Sequence, residues 1–341
     1  MRVLIIGGTR RSGPYLVREL IADGHEVFIY HRGQNQVTFT DQMTVIQGDR
    51  KNYPEFVAQM ADLAVDTVID MIATNDQDID AIVQTFAGRL RRYVVISSYE
   101  VYAAFEAAWT RQTSLQPVPI PETAPSRQSS IVYAQTPSYE KIPMEQAALQ
   151  AYRLGRLPCT IVRYPALYGP RDVTPREWYY VRQALDRRPR IGVGGGGQSL
   201  FSRGYLPNMA HAVVCLLRHP QTDGEIFNAA DEMALTNGQI IEMVGQILGH
   251  HWEMVPIPRT LMPPFVRSQA LPFSPDPYDI EPHLLLDVHK IKCLAGYQDV
   301  VPVERALEET VLWLRDHPAP AGFLPVDHAA MDGAIERVAE L

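Results

Sequence analysis

The sequence predicts an α/β protein built on a doubly wound parallel sheet, and three observations carry that expectation. The chain opens as strand, glycine turn, helix and strand: Arg2-Val3-Leu4-Ile5-Ile6, then Gly7 to Gly13, then a helical segment from Tyr15 to Ile21, then Glu26-Val27-Phe28-Ile29-Tyr30. Short β-branched runs go on alternating with amphipathic helical segments as far as Arg163. Strands separated by helices pair in parallel through right-handed crossovers, which puts ligand sites at the carboxyl ends of the strands. The alternation fails beyond Pro170, so a smaller C-terminal α/β region is expected to follow.

Each element of the opening unit has a local reason. Pro14 sits where a first helical turn tolerates it, Leu16, Val17, Leu20 and Ile21 recur at helical spacing, and Gly24 stops the helix. Glycines between strand and helix let backbone N–H groups and the helix N-terminus face a pyrophosphate. In the dinucleotide spacing the outer glycines are Gly7 and Gly13, and the middle position is Arg10. Gly7, Thr9, Arg10, Arg11, Ser12 and Gly13 are therefore the candidate phosphate-binding loop. The second strand ends Tyr30-His31-Arg32-Gly33, without the carboxylate that would accept from a ribose 2′-hydroxyl. Arg32, with Arg10 and Arg11, favours a 2′-phosphate, so NADP is expected and NAD is the less favoured cofactor.

A third strand is expected at 44–47, with Asp49 beyond its end where an adenine would lie, then a helix at 53–63 and a fourth strand at 66–72. The fourth strand runs into Ala73-Thr74-Asn75, where small residues let the backbone approach the cofactor, and Ile72 and Ala73 are the candidate cofactor contacts there. A helix at 77–86 leads to a fifth strand at 93–96, ending in Ser97-Ser98. Residues 103–136, rich in Pro, Ser, Thr and Gln, read as one long loop over the site. A helix at 144–154 and a sixth strand at 159–163 follow, ending at Tyr164-Pro165-Ala166-Leu167-Tyr168-Gly169-Pro170. Further on, helices are expected at 177–186 and 209–217, a strand at 225–228, and a helix opened by a Thr236/Gln239 capping box and ended by Gly249. The proline-dense stretch 256–282 should be irregular, a last helix spans 303–317, and the tail beyond Pro318 should be partly mobile. The expected division is a nucleotide-binding domain at 1–168, to which segments near 203–230 return, a mostly substrate-binding region at 169–317 and a tail at 318–341.

At 341 residues, with 46% hydrophobic residues, the chain can bury a large core, and its net charge of −8 with no basic tract argues against a general nucleic-acid binder. No apolar run is long enough to span a bilayer, so no membrane partner is expected. Three widely spaced cysteines suggest neither a disulfide framework nor a zinc cluster, and with no leader segment the expectation is a cytoplasmic protein without a metal.

Five landmarks stand in a recognisable order: the loop at 7–13, Ser97-Ser98-Tyr99-Glu100-Val101-Tyr102, Lys141 followed by Glu145, the run from Arg163 to Pro170, and Arg203-Gly204-Tyr205. Over residues 1–317 the chain resembles the extended short-chain dehydrogenase/reductases of the NAD-dependent epimerase/dehydratase family. The Gly-Gly-Thr-Arg opening and the strand end at Arg32-Gly33 are similar to an atypical branch that includes the chloroplast stem-loop-binding proteins. The resemblance implies a Rossmann-type fold, a small-molecule substrate and a homodimer. It also implies that Ser98 bonds the substrate oxygen, that a tyrosine gives or takes a proton, and that a lysine four residues later tunes that tyrosine and holds the nicotinamide ribose. Tyr164, Pro165 and Leu167 would position the nicotinamide, and Tyr168 and Arg203 would meet the substrate.

The sequence departs from that pattern. Four residues before Lys141 stands Pro137, and the nearest tyrosines are Tyr139 and Tyr133. A separation of two turns Tyr139 to nearly the opposite helical face from Lys141, unless the helix starts near Glu140 and leaves Tyr139 in a turn. Either Tyr139 or Tyr133 substitutes as acid/base, or the redox chemistry is lost and the chain is a non-catalytic NADP-binding sensor or scaffold. A second departure offers other chemistry. Ser98-Tyr99-Glu100-Val101-Tyr102 resembles the Thr-Asp-Glu-x-Tyr segment of sugar-nucleotide dehydratases, with Glu100 as the glutamate of the acidic pair and Tyr99 as a phenol in place of the aspartate. The leading expectation is an NADP(H)-dependent oxidoreductase, epimerase or dehydratase acting on a small oxygenated, sugar-like substrate.

Overall fold

A computed structural model describes residues 1–35, 43–110, 116–128, 140–258, 260–261, 283–319 and 328–341. Its centre is a seven-stranded, wholly parallel sheet. In chain order the strands and helices of its first part are β1 (Arg2–Ile6), α1 (Gly13–Ala22), β2 (Glu26–His31), β3 (Met43–Gln47), α2 (Tyr53–Met60), β4 (Thr67–Asp70), α3 (Asp76–Phe86), β5 (Arg92–Ser98), α4 (Ala103–Thr110), α5 (Lys141–Arg153) and β6 (Cys159–Tyr164). The remainder is β7 (Ala166–Tyr168), α6 (Trp178–Leu185), β8 (Arg190–Gly194), β9 (Arg203–Tyr205), α7 (Leu206–Leu217), β10 (Ile226–Asn228), α8 (Asn237–Leu248), β11 (Glu253–Ile257), α9 (His289–Ala295), α10 (Val303–Asp316) and α11 (His328–Ala339).

The sheet order is β10-β6-β5-β4-β1-β2-β3, so the chain reverses direction between β1 and β4, where a doubly wound sheet opens its crevice. Central strands are apolar on both faces because helices cover both. Val3, Ile5, Val94 and Val162 pack beneath α1, α7 and α9, while Leu4, Val68, Val95 and Ile161 pack beneath α2, α3 and α5. Edge strand β3 is largely exposed, and its residues are polar at Thr44 and Gln47. A second core lies under β8 and its parallel partner β11, closed by α6, α8, α10 and α11.

The expected α/β architecture is present, and the capping box at Thr236/Gln239 forms as anticipated, with Gly249 left-handed at φ 61°. Two local expectations are corrected, and the tail holds a helix that is not among the expected elements. Residues 103–110 form α4 rather than loop, because Ala103, Ala104, Ala107 and Ala108 are strong helix formers that the proline-rich average of 103–136 conceals. Pro256 and Ile257 belong to β11, where the ladder with β8 overrides the irregularity that prolines suggest. The tail includes α11, whose Met331, Ala334 and Ile335 recur at helical spacing and are buried, with Met331 filling the space that a side chain on Gly192 would occupy. Among the described residues, no helix is long and apolar enough to cross a membrane.

Candidate functional site

A cleft of about 740 Å³ opens at the carboxyl ends of the parallel strands. Its floor is the glycine loop. Gly7 has φ 95°, and a Cβ there would lie 2.7 Å from Ile72 Cγ2. A Cβ on Gly13 would lie 2.5 Å from the Gly8 carbonyl carbon and Cα. The turn therefore closes only with bare backbone at both outer glycines, and Ser12, the residue capping α1, brings that helix's N-terminus to the cleft. Such a cradle fits a dinucleotide pyrophosphate, which N–H groups of residues 7–13 would hold, with Thr9, Arg10 and Arg11 lining the cleft beside them.

The three arginines differ in how they are employed. Arg10 donates to Asn35 Oδ1 at 3.0 and 2.6 Å. Arg11, at φ 52°, reaches across to Thr174 Oγ1 at 3.4 Å and Asp172 at 3.7 Å. Arg32 is exposed at the cleft, and among the described residues nothing binds its guanidinium. Asp49 also lines the cleft and accepts from the Lys51 backbone N–H at 2.9 Å.

Beneath this rim lies a buried charge cluster absent from the sequence reading. Arg50 donates to Asp70 Oδ2 at 2.6 Å and to the Asp78 carbonyl at 3.0 Å, both deep in the interior. Asp70 in turn accepts from the N–H groups of Ile72 at 3.1 Å and Ala73 at 2.8 Å, and Asp78 from that of Thr74 at 2.6 Å. These bonds fix the strap 72–74 along one wall. Lys141, only 4% exposed, donates to the carbonyls of Ala73 and, at 2.8 Å, Ile96. Burial pushes its ammonium down to about 8, against the upward pull of Asp70, Glu100, Asp78 and Glu145.

Helix α5 begins at Lys141 itself. Glu140 is its cap and accepts from Ile142 N–H at 3.2 Å, which leaves Pro143 in the first turn, where a missing N–H costs nothing. The Glu140 N–H donates to the Thr74 carbonyl at 2.6 Å, so the chain enters α5 beside a cleft-lining residue. Tyr133, Pro137 and Tyr139 lie outside the described residues.

Ser98, Tyr99 and Glu100 all line the cleft, as do Tyr164, Pro165 and Leu167. The Ser98 hydroxyl accepts from Glu100 N–H at 3.3 Å, which caps the following turn and leaves its proton to be donated. Tyr99 is packed edge-on against Phe105 and Phe201 at 5.2 and 5.8 Å, and its buried hydroxyl finds no partner among the described residues. Burial raises its pKa, with Arg176 opposing. Tyr168 and Arg203 do not line this cleft; they border a separate small cavity near Asp231. There Arg203 is tied to Glu177, whose carboxyl burial pushes up and Arg203 pulls down. Arg176, Val173 and Thr174 take the corresponding place in the main cleft, from a loop whose sequence carries no signal of it.

Behind Ser98 runs a second buried network. Ser97 Oγ donates to Glu145 Oε1 at 2.5 Å, and Arg163 clasps both Glu145 oxygens at 3.0 and 2.6 Å. The Arg163 guanidinium also lies 4.6 Å over the Tyr102 ring, whose hydroxyl donates to Asn228 at 2.6 Å. This ties β5, α5, β6 and β10 together under the end of the strand that carries Ser98. Among the described residues no group of His, Cys, Asp and Glu side chains is arranged to hold a metal ion.

Comparison with known proteins places this geometry in context. The model of the NAD dependent epimerase/dehydratase family matches residues 3–230. The chain is 25% identical to UDP-N-acetyl-alpha-D-glucosaminuronate decarboxylase of Bacillus cytotoxicus, covering 92% of this chain and 98% of that one. It is 22% identical to the chloroplast stem-loop binding protein of 41 kDa b of Arabidopsis thaliana, covering 87% and 75%. Its fold superposes on dTDP-glucose 4,6-dehydratase from Bacillus anthracis, solved in complex with NAD, at a TM-score of 0.66 and 17% identity, covering 93% and 97%.

Proposed function

The chain belongs to the NAD-dependent epimerase/dehydratase family, and from that premise we propose that it uses NADP(H) for hydride-transfer oxidoreduction, epimerisation or dehydration of a small oxygenated substrate such as one derived from a sugar. One observation carries this reading: a buried ammonium, Lys141, is anchored at the cleft wall by the carbonyls of Ala73 and Ile96, with Ser98 and the glycine cradle lining the same cavity. When bound, the nicotinamide supplies or accepts hydride at C4. The backbone of residues 7–13 holds the pyrophosphate, and Pro165 and Leu167 wall the reacting end. Ser98 donates to the substrate oxygen, and Lys141 keeps positive charge beside the proton-transfer group. A phenol titrating near pH 10 needs such a cation to work near neutrality. The acid/base is assigned to Tyr139 or Tyr133. Tyr139 is the stronger candidate, since it immediately precedes Glu140, whose N–H bonds cleft-lining Thr74.

The test pairs cofactor titration with turnover. Nicotinamide fluorescence should report binding of NADPH, and incubation with NADP+ and a panel of nucleotide-linked hexoses should yield one converted substrate. On that substrate Tyr139→Phe is expected to lower kcat by about a hundredfold or more, the scale of one general acid/base, with NADPH affinity unchanged. If Tyr133→Phe behaves so and Tyr139→Phe does not, the role moves to Tyr133. One sequence fact favours the rival reading of a non-catalytic NADP-binding sensor: Pro137 occupies the position four before Lys141. Tight binding with no conversion, unaltered in both tyrosine variants, would support that rival.

Cofactor choice gives a separate prediction. Arg32→Ala should weaken NADPH binding by about tenfold or more, since a hydrogen bond to a charged group contributes about 1.5–3 kcal/mol, while NADH binding stays the same. Equal losses for both cofactors would remove Arg32 from any contact with a 2′-phosphate.

A further inference from the structure

Outside the cleft, three side chains form a chain of contacts that the proposed reaction does not use. Cys215 Sγ lies 3.3 Å from His211 Nε2, one helical turn away on α7, and His211 Nδ1 lies 2.6 Å from Glu19 Oε1 on α1. None of the three lines the cleft. The order is that of an activated nucleophile: a thiol on an imidazole whose other nitrogen is held by a carboxylate. We propose that Cys215 is a hydroperoxide-reactive thiol, activated by His211 and positioned through Glu19.

The surroundings keep the ring charged: the Cys215 sulfur and the Glu19 carboxylate, against burial, hold the His211 imidazolium up at about 10. The other ionisable groups facing this cluster are Asp23, the residue capping the end of α1, Arg218, the residue capping the end of α7 and ion-paired with Asp23, and Tyr297, whose ring centroid is 6.4 Å from that of His211. Arg218 adds a second positive charge in the thiol's neighbourhood. Cys215 is 5% exposed, while the His211 side chain reaches solvent. In the step, the thiolate sulfur attacks one peroxide oxygen, an S–O bond forms and the O–O bond breaks. The departing hydroxide takes a proton from His211 and leaves as water, so the sulfur is oxidised by two electrons to a sulfenic acid and the peroxide is reduced.

The chain carries its own comparison. Cys293 is exposed and also lies 3.3 Å from a histidine nitrogen, His289 Nε2, but among the described residues no carboxylate holds that ring. Burial raises the Cys159 thiol's pKa. The experiment treats the full chain with hydrogen peroxide for timed intervals, quenches with catalase, traps sulfenic acid with dimedone under denaturing conditions and follows each cysteine's adduct by peptide mass spectrometry. Cys215 is expected to label about tenfold faster than Cys293 across pH 6 to 8. His211→Asn and Glu19→Gln are expected to slow Cys215 by about tenfold and to move its labelling up toward the ordinary thiol range near pH 8.5, leaving Cys293 unchanged. Should His211→Asn fail to fold, Glu19→Gln at the solvent edge makes the same comparison. Labelling of Cys215 no faster than Cys293, or a Cys215 rate and pH profile unmoved in Glu19→Gln, would overturn the proposal.

Discussion

Gly13→Ala is expected to reduce NAD(P)H binding by about a hundredfold, the equivalent of about 2.7 kcal/mol. The reason is steric rather than conformational. The added Cβ would sit 2.5 Å from backbone atoms of Gly8, and backbone cannot step aside as a flexible side chain can. The whole turn must open, which withdraws the N–H groups of residues 7–13 from the pyrophosphate and also costs about 1–3 kcal/mol of fold stability, as overpacking does. Gly24→Ala is the matched control. Gly24 has φ 77° and nothing within 4 Å of its missing Cβ, so its replacement strains one residue without touching the cleft. Isothermal titration with NADPH on both variants, beside urea unfolding, separates the effects. Equal affinities in the two variants would mean that the glycine loop is not the phosphate cradle.

Glu145→Ala is expected to destabilise the fold by about 3–5 kcal/mol, because it strands the buried Arg163 guanidinium. Arg163 gives two bonds to Glu145, one to the Glu122 carbonyl at 3.0 Å and a face contact to Tyr102. Removing the carboxylate leaves a desolvated cation and an unpaired Ser97 hydroxyl. Deleting the pair together, as Glu145→Leu with Arg163→Met, should recover most of that loss, since well-packed apolar groups often replace buried ion pairs without penalty. Urea midpoints of the three proteins decide this. A double variant as unstable as Glu145→Ala would show that the network is needed as a whole and not merely to neutralise Arg163.

Legibility from sequence divides along how far apart the cooperating residues lie. The strand-turn-helix opening and the capping box at Thr236 are set within a few consecutive residues, and each is where local chemistry puts it, whereas α5, expected from 144, starts at Lys141 because Glu140 caps it and Pro143 is accommodated in its first turn. Much of the cleft lining was legible for the same reason: Gly7, Thr9, Arg32, Asp49, Ile72 and Tyr164 sit at or just beyond the ends of strands that a doubly wound sheet gathers on one edge. Where a local average misled, it had mixed unlike segments. The alanines of α4 were hidden among prolines, and Met331, Ala334 and Ile335 were overlooked in a tail.

By itself the sequence determined the six strands β1 to β6 with the helices α1, α2 and α3 between them, the glycine turn and the capping box of α8, because periodicity, glycine freedom and capping act over one or two turns of chain. Only the tertiary structure decided which distant charges meet. Arg50 with Asp70 and Asp78, Glu145 with Arg163, and Glu19 with His211 join residues 18 to 192 positions apart, and nothing in the spacing of either partner announces the other. It also decided that Arg203 is bound to Glu177 beside a second small cavity while Arg176 lines the cleft. Two arginines of like chemistry are told apart by which wall of the fold each side chain reaches, and that depends on packing between elements.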